Sequence, residues 1–221
     1  MEVKDDALRL ERAIVNELAD DVFTDVPGFL EAVFPVKDEL LNQVMENVSQ
    51  KRRGLYDKAT KRWGKYPVYP ATHENHLYKP FVELVRGISQ CIPSWERNGV
   101  TWHDRHDHAP LSLDPNPPKV RPDIVATLGE GTGLRSGAAE AIPWSRILVP
   151  IEIKKRNHSS SDESDGPALL QLLKYMRMVF REAVDRSFVL GIVLAHTKMS
   201  VYIADRTGVL GSEIFDIHEV C

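Results

Sequence analysis

Cysteine is scarce. Cys91 and Cys221 are the only two in 221 residues, and they stand 130 positions apart. They make no Cys-x-x-Cys pair, so neither a zinc cluster nor a disulfide framework is expected. Long apolar runs are missing as well. The longest, such as Phe188 to Ala195, are strand-sized and fall far short of the ~20 residues a membrane helix needs. The opening Met1-Glu2-Val3-Lys4-Asp5-Asp6 is acidic and lacks the apolar segment of a secretory signal. These absences lead to the expectation of an intracellular protein, nuclear or cytoplasmic, with no membrane partner. Charge of one sign is not in excess either: 28 Lys and Arg face 32 Asp and Glu, a net of −4. That excludes a protein that coats DNA by bulk charge, but not a local binding field.

What is present is globular. Hydrophobic residues make up 43% and charged residues 27%, enough to bury a core and too apolar for broad disorder. Charge is segregated along the chain. Residues 1–50 carry 12 acidic and 4 basic side chains, whereas residues 51–65 carry 7 basic and 1 acidic. The first seventy residues read as a helical N-terminal extension. Val3, Ala7, Leu10, Ile14, Leu18 and Val22 recur at 3–4 spacing. A short helix is expected from Pro27 to Phe34, ended by Pro35. A third is expected from Asp38 into the basic cassette. Residues 71–221 read as one α/β domain. A helix over about His73 to Cys91, with Pro80 inside it, leads into strands at Val100–His103, Asp123–Leu128 and Ile147–Lys154. A helix over about Pro167–Val184 and strands at Phe188–Ala195 and Met199–Ala204 follow.

The chemistry centres on the third strand. Alternation puts Ile147, Val149, Ile151 and Ile153 on one face and Glu152 and Lys154 on the other. Pro150 argues for an edge or a bulge. A carboxylate and an ammonium at the end of an apolar strand need a partner, a metal or solvent. Arg121-Pro122-Asp123 precedes another short apolar strand, so pairing of the two would bring Asp123 to Glu152. Two carboxylates and a lysine suit Mg²⁺-assisted phosphodiester hydrolysis. A salt bridge at the strand ends is the plainer alternative.

This constellation resembles the PD-(D/E)xK nuclease superfamily, whose restriction-endonuclease-like core has three layers: a central mixed sheet flanked by helices. The resemblance implies a metal-dependent nuclease using Mg²⁺ or Mn²⁺ on nucleic acid, DNA ahead of RNA. Asp123, Glu152 and the Ile153 carbonyl would then ligate metal, with Lys154 orienting water. It also implies a Glu on the first helix and a Gln, as Gln-x-x-x-Tyr, on the helix after the Glu-x-Lys strand. Gln171 and Tyr175 match the latter. For the former, helical angles place Glu74 with the apolar stripe of Leu77, Phe81, Leu84, Val85 and Ile88, and Glu83 opposite. Glu74 is therefore expected in the site.

A second resemblance covers most of residues 70–218. Glu-x-x-Leu-Tyr-x-Pro-Phe at 74–81, Arg-Pro-Asp at 121–123, Pro-Ile-Glu-Ile-Lys at 150–154 and Tyr-Met-Arg-Met-Val-Phe at 175–180 look like the N-terminal region of fungal-type protein kinase proteins. So do Asp-Arg-Ser-Phe-Val-Leu-Gly at 185–191, Asp-Arg-Thr-Gly at 205–208 and Phe-Asp-Ile-His at 215–218. Kinase motifs are absent from this sequence: there is no Gly-rich loop followed by Val, no His-Arg-Asp and no Asp-Phe-Gly. The resemblance implies, as the alternative to a nuclease, a catalytically silent binding or regulatory module that partners a kinase domain in a longer form. A homodimer is a further expectation.

The basic cassette adds Lys51, Arg52, Arg53, Lys61 and Arg62, interleaved with Tyr56, Trp63 and Tyr66. Phosphates take such cations and unstacked bases take such aromatics, so nucleic-acid contact is one reading, extended to Tyr175. Pairing of the cassette with the acidic first fifty residues is the other, and a nuclear-import signal a third. His103, His106 and His108 fit no zinc spacing and read as a solvated loop. Gly129, Gly131 and Gly133 read as a strand connection, and Trp144 as a packing anchor.

Overall fold

The computed structural model describes residues 11–18, 20–50, 54–68, 73–92, 99–128, 141–155 and 166–219. A helix α1 over 11–18 leads into β1 (Val22–Val26), α2 (Phe29–Val33) and α3 (Asp38–Val48). A hairpin of β2 (Tyr56–Asp57) and β3 (Arg62–Trp63) precedes α4 (Asn75–Ser89). Then come β4 (Val100–Asp104), β5 (Ile124–Leu128), β6 (Ile147–Lys154), α5 (Gly166–Glu182), β7 (Val189–Ala195), β8 (Lys198–Ala204), β9 (Val209–Ser212) and β10 (Phe215–Asp216).

Eight of these strands form one mixed sheet in the order β1-β9-β8-β7-β6-β5-β4, with β10 also pairing β8. Strands β4, β5 and β6 run as an antiparallel meander. The chain then crosses through α5 so that β7 lies parallel to β6. Such a parallel neighbour requires a crossover, and a helix is the usual one. Helices cover both faces. The apolar stripe of α4 (Leu77, Phe81, Leu84) packs with Ile124, Ile151, Ile153 and Leu194. On the other face α5 packs Leu172, Tyr175, Met176 and Val179 with Val125, Ile147, Val189 and Val193.

Pro150 sits in the third strand of the meander, which has neighbours on both sides. Its missing N–H is accommodated beside a bulge: the β5–β6 register shifts between Ala126 and Thr127. That shift also corrects the expected alternation. Ile147 packs with α5, whereas Ile151 and Ile153 pack with α4.

The N-terminal region carries the three expected helical segments but is not a separate helical extension. Val22 starts a strand parallel to β9, and Ile14 on α1 is 2% exposed within the α5-side core. Helical spacing had run on into a strand because its edge position leaves most of its residues exposed and its period-2 signal weak. Nor does α3 continue into the cassette. Asp57 accepts the Ala59 amide at 2.8 Å, and a side-chain turn of this kind competes with helix. Strands β9 and β10 were not foreseen, being only four and two residues long.

The β1–β9 edge is held closely. Val209 donates its amide to the Asp21 carbonyl at 2.8 Å, and a Cβ on Gly208 would lie 2.6 Å from that same oxygen. Gly208→Ala should therefore push β1 off the edge. A loss of about 1–3 kcal/mol, read as a lowered urea midpoint with unchanged slope, is the expected result.

Candidate functional site

Residues Asp123, Glu152, Lys154 and Glu74 meet where β5 and β6 diverge. Strand β5 begins at Ile124, opposite Ile151, so β6 runs three residues past its partner. The Asp123 amide closes the ladder on the Ile151 carbonyl at 3.1 Å. Its side chain turns back, and Oδ2 accepts the Ile153 amide at 2.8 Å. The carboxylate thus takes the place of the missing β5 backbone. Residues Ile151 and Ile153 point their backbone groups to the same side of the strand, which aims the Ile153 carbonyl towards Asp123. The Lys154 carbonyl goes the other way, to the His196 amide at 3.1 Å.

Glu152 is 3% exposed and both of its oxygens are engaged. Lys154 Nζ lies 2.5 Å from Oε1, and the Tyr175 hydroxyl donates to Oε2 at 2.8 Å. Lys154 Nζ also lies 3.8 Å from Glu74 Oε1. Helix α4 continues through Pro80, so Glu74 at its N-cap faces the site. Glu83 faces away and pairs with Lys79 at 4.0 Å. One residue escaped the sequence reading. Tyr78, one turn after Glu74, hydrogen-bonds Asp123, and the signal for it was that i+4 spacing.

The charges are poised. Burial, and then the Asp123 charge, push the Glu152 carboxyl up to about 7 despite Lys154 and Tyr175. Burial likewise raises Asp123, against the Ile153 amide, the Tyr78 hydroxyl and Lys154. Burial works against a charged Lys154, but its hydrogen bond to Glu152 and the fields of Glu152, Glu74 and Asp123 outweigh this and raise its pKa. Three acidic side chains against one lysine leave the site short of positive charge.

Helix α5 backs the glutamate. Gln171 Nε2 donates to the Tyr175 hydroxyl at 2.9 Å and Gln171 Oε1 accepts from Lys174 at 3.2 Å. Gln171 therefore acts through Tyr175 and not on the carboxylates directly. Tyr175 itself is 1% exposed and stacks on Trp144, ring centroids 6.3 Å apart. That corrects its expected contact with nucleic acid: no base can reach a ring buried in this way. Tyr175→Phe removes a donor from a buried carboxylate. A stability loss of about 1–3 kcal/mol is expected, measured by thermal unfolding at a pH above 7, where Glu152 is ionised.

The role expected of the cassette's aromatics is also corrected. Tyr56, Trp63 and Tyr66 are buried and serve as packing, not as stacking platforms. Lys61 is exposed in the hairpin turn at φ 52, and Arg62 turns inward to His218. Lys51, Arg52 and Arg53 lie outside the described residues. Among the described residues, the acidic first segment pairs elsewhere: Glu11 with Lys174 and Glu17 with Arg177 on α5. His103 bonds Thr127 on the adjacent strand, while His106 and His108 sit on exposed turns beside Asp104 and Asp107. Among the described residues no helix is long and apolar enough to cross a membrane.

Part of the site, without Glu74, Tyr78 and β4, falls within a family match. Residues 121–220 match the family model for fungal protein kinase. The matched segment is a little under half of the chain and holds Asp123, Glu152, Lys154, Gln171 and Tyr175. No curated protein matches the chain.

Proposed function

We propose that this domain is a metal-dependent nuclease with a restriction-endonuclease-like core, hydrolysing phosphodiester bonds in DNA ahead of RNA. Geometry, not the family match, supports this. The carrying observation is that a buried carboxylate, Glu152, and a half-buried one, Asp123, both displaced towards the protonated form, converge with a lysine at the open end of a helix-backed β-meander. The order α4, β4, β5, β6, α5, β7, with β6 and β7 parallel, is similar to the helix, three strands, helix, strand order of the nuclease core the motifs resemble, and supports this reading.

The donor set fits a hard cation. Asp123 and Glu152 supply carboxylate oxygens with lone pairs to spare, and the Ile153 carbonyl is directed to the same side. Among the described residues no group of three or more His, Cys, Asp or Glu stands as a metal site, so the carbonyl is needed as third ligand. Bound Mg²⁺ or Mn²⁺ would supply Lewis acidity at the phosphate and a more acidic water. Lys154 holds its ammonium where it can orient a water and offset charge developing on phosphate. Tyr175, held by Gln171, fixes the Glu152 carboxylate. Tyr78 and the Ile153 amide fix Asp123, and Glu74 keeps Lys154 charged.

The test is calorimetric titration with Mn²⁺ alongside cleavage of plasmid and single-stranded DNA. Binding and cleavage that both disappear in Asp123→Ala are expected. A second reading, a catalytically silent module acting beside a kinase, is favoured by the fungal protein kinase match. Absence of both binding and cleavage at millimolar metal would select it.

A further inference from the structure

A second polar cavity, of about 720 Å³, lies between the β2–β3 hairpin and the β10 end of the chain. Its walls include Lys58, Lys61, Arg62, His196, Asp216 and His218. The hairpin is fastened there by three bonds. Trp63 Nε1 donates to the Ile217 carbonyl at 2.5 Å, the Tyr56 hydroxyl donates to the His218 carbonyl at 3.2 Å, and the Trp63 amide donates to His218 Nδ1 at 3.1 Å.

The last bond decides the histidine's tautomer. An amide can only donate, so Nδ1 accepts, and the neutral ring carries its proton on Nε2. Burial, then the Arg62 charge, hold the His218 pKa below its ordinary value, so the neutral ring is the stable one. Yet Nε2 lies 3.3 Å from Arg62 Nη2, which is also a donor. Two N–H groups therefore face one another. Arg62 Nε is in addition buried without a hydrogen-bond partner. Native interiors seldom leave such donors unmet, and one acceptor with several oxygens would serve the facing Arg62 Nη2 and His218 Nε2 groups together. Two acids line the wall, Asp216 and Glu219, and neither is hydrogen-bonded or ion-paired to Arg62 or to the His218 ring. Asp216 is taken up by Thr197 Oγ1 at 2.9 Å, the His218 amide at 2.9 Å and Lys198 at 3.4 Å.

We propose that this cavity binds a phosphate-class oxyanion, seated against Arg62 and His218 Nε2, with Lys58 and Lys61 at its mouth. Arginine and imidazole N–H groups make charge-assisted bonds to such oxygens. The exposed lysines add attraction without a fixed geometry. The chemistry is shared by free inorganic phosphate and by the phosphate of a nucleotide. The site is independent of the reaction assigned to Asp123 and Glu152.

The experiment follows the histidine ring nitrogens of the full chain by long-range proton–nitrogen NMR at constant ionic strength. Inorganic phosphate, a nucleoside 5′-monophosphate and the bare nucleoside are titrated separately. A saturable shift of His218 Nε2 with the phosphate-bearing probes, and none with the nucleoside, is expected. Tighter binding of the monophosphate than of inorganic phosphate assigns the nucleotide as source, and equal binding assigns the free anion. Arg62→Met should weaken the affinity about tenfold or more. Should that variant not fold, Lys58→Ala with Lys61→Ala, both exposed, should weaken it several-fold. No saturable shift, a shift that chloride reproduces, or unchanged affinity in the folded variants would overturn the proposal.

Discussion

Lys154→Met should lower metal-dependent cleavage about 10²–10³-fold while leaving Mn²⁺ affinity unchanged or higher. The two effects part because the lysine and the proposed metal ion would share the same field. Lys154 Nζ sits 2.5 Å from Glu152 Oε1, where it offsets the charge that burial and Asp123 make costly. Removing it takes a competing cation from the carboxylate but also removes the group that would steady the reacting phosphate. Asp123→Ala is expected to behave differently, losing affinity and rate together, because the carboxylate proposed as a ligand would be gone. Measuring both variants by calorimetry and by single-turnover cleavage separates the roles. Equal rates in wild type and Lys154→Met would remove the lysine from the reaction.

Stability should fall as pH rises through the window set by Glu152. Its folded pKa is about 7, above the ordinary 4.5, so between those values the folded state holds a proton that the unfolded state has released. Unfolding then becomes easier by roughly 1.4 kcal/mol for each pH unit across the window. The stabilising contribution is complete below the unfolded pKa and is lost as pH climbs to about 7. Glu152→Gln keeps the shape and cannot titrate, so its stability should change less over the same range. The comparison is urea unfolding of both proteins from pH 4.5 to 7.5. Parallel curves would show that Glu152 ionises normally in the folded chain. If the proposed metal binds there, saturating Mn²⁺ should flatten the wild-type slope, since a bound cation favours the ionised form.

Strands β4 to β8, the two sheet-covering helices and the placement of Asp123, Glu152, Lys154 and Glu74 were legible in the sequence. The elements rest on local periodicity, and Asp123 on its position just before a short apolar strand and on the motif it shares with Glu152 and Lys154. The Ile147–Lys154 pattern marks the strand's length and the polar face of its last residues, although the bulge turns Ile147 to the other side of the sheet. The α4 stripe is regular enough to separate Glu74 from Glu83 across Pro80. What the tertiary structure alone decided are the matters of partnership. The first seventy residues looked helical because β1 is an exposed edge strand, recognisable only by its pairing with β9. The cassette aromatics looked available because nothing local says that Tyr56 and Trp63 are fastened to residues 217 and 218. Tyr175 matched a motif, but whether it faced solvent or Glu152 depended on how α5 lies over β6. Hydrophobic spacing reports which face of an element is buried. It does not report against what, because that is settled by contacts between residues more than a hundred positions apart, such as Trp63 with His218.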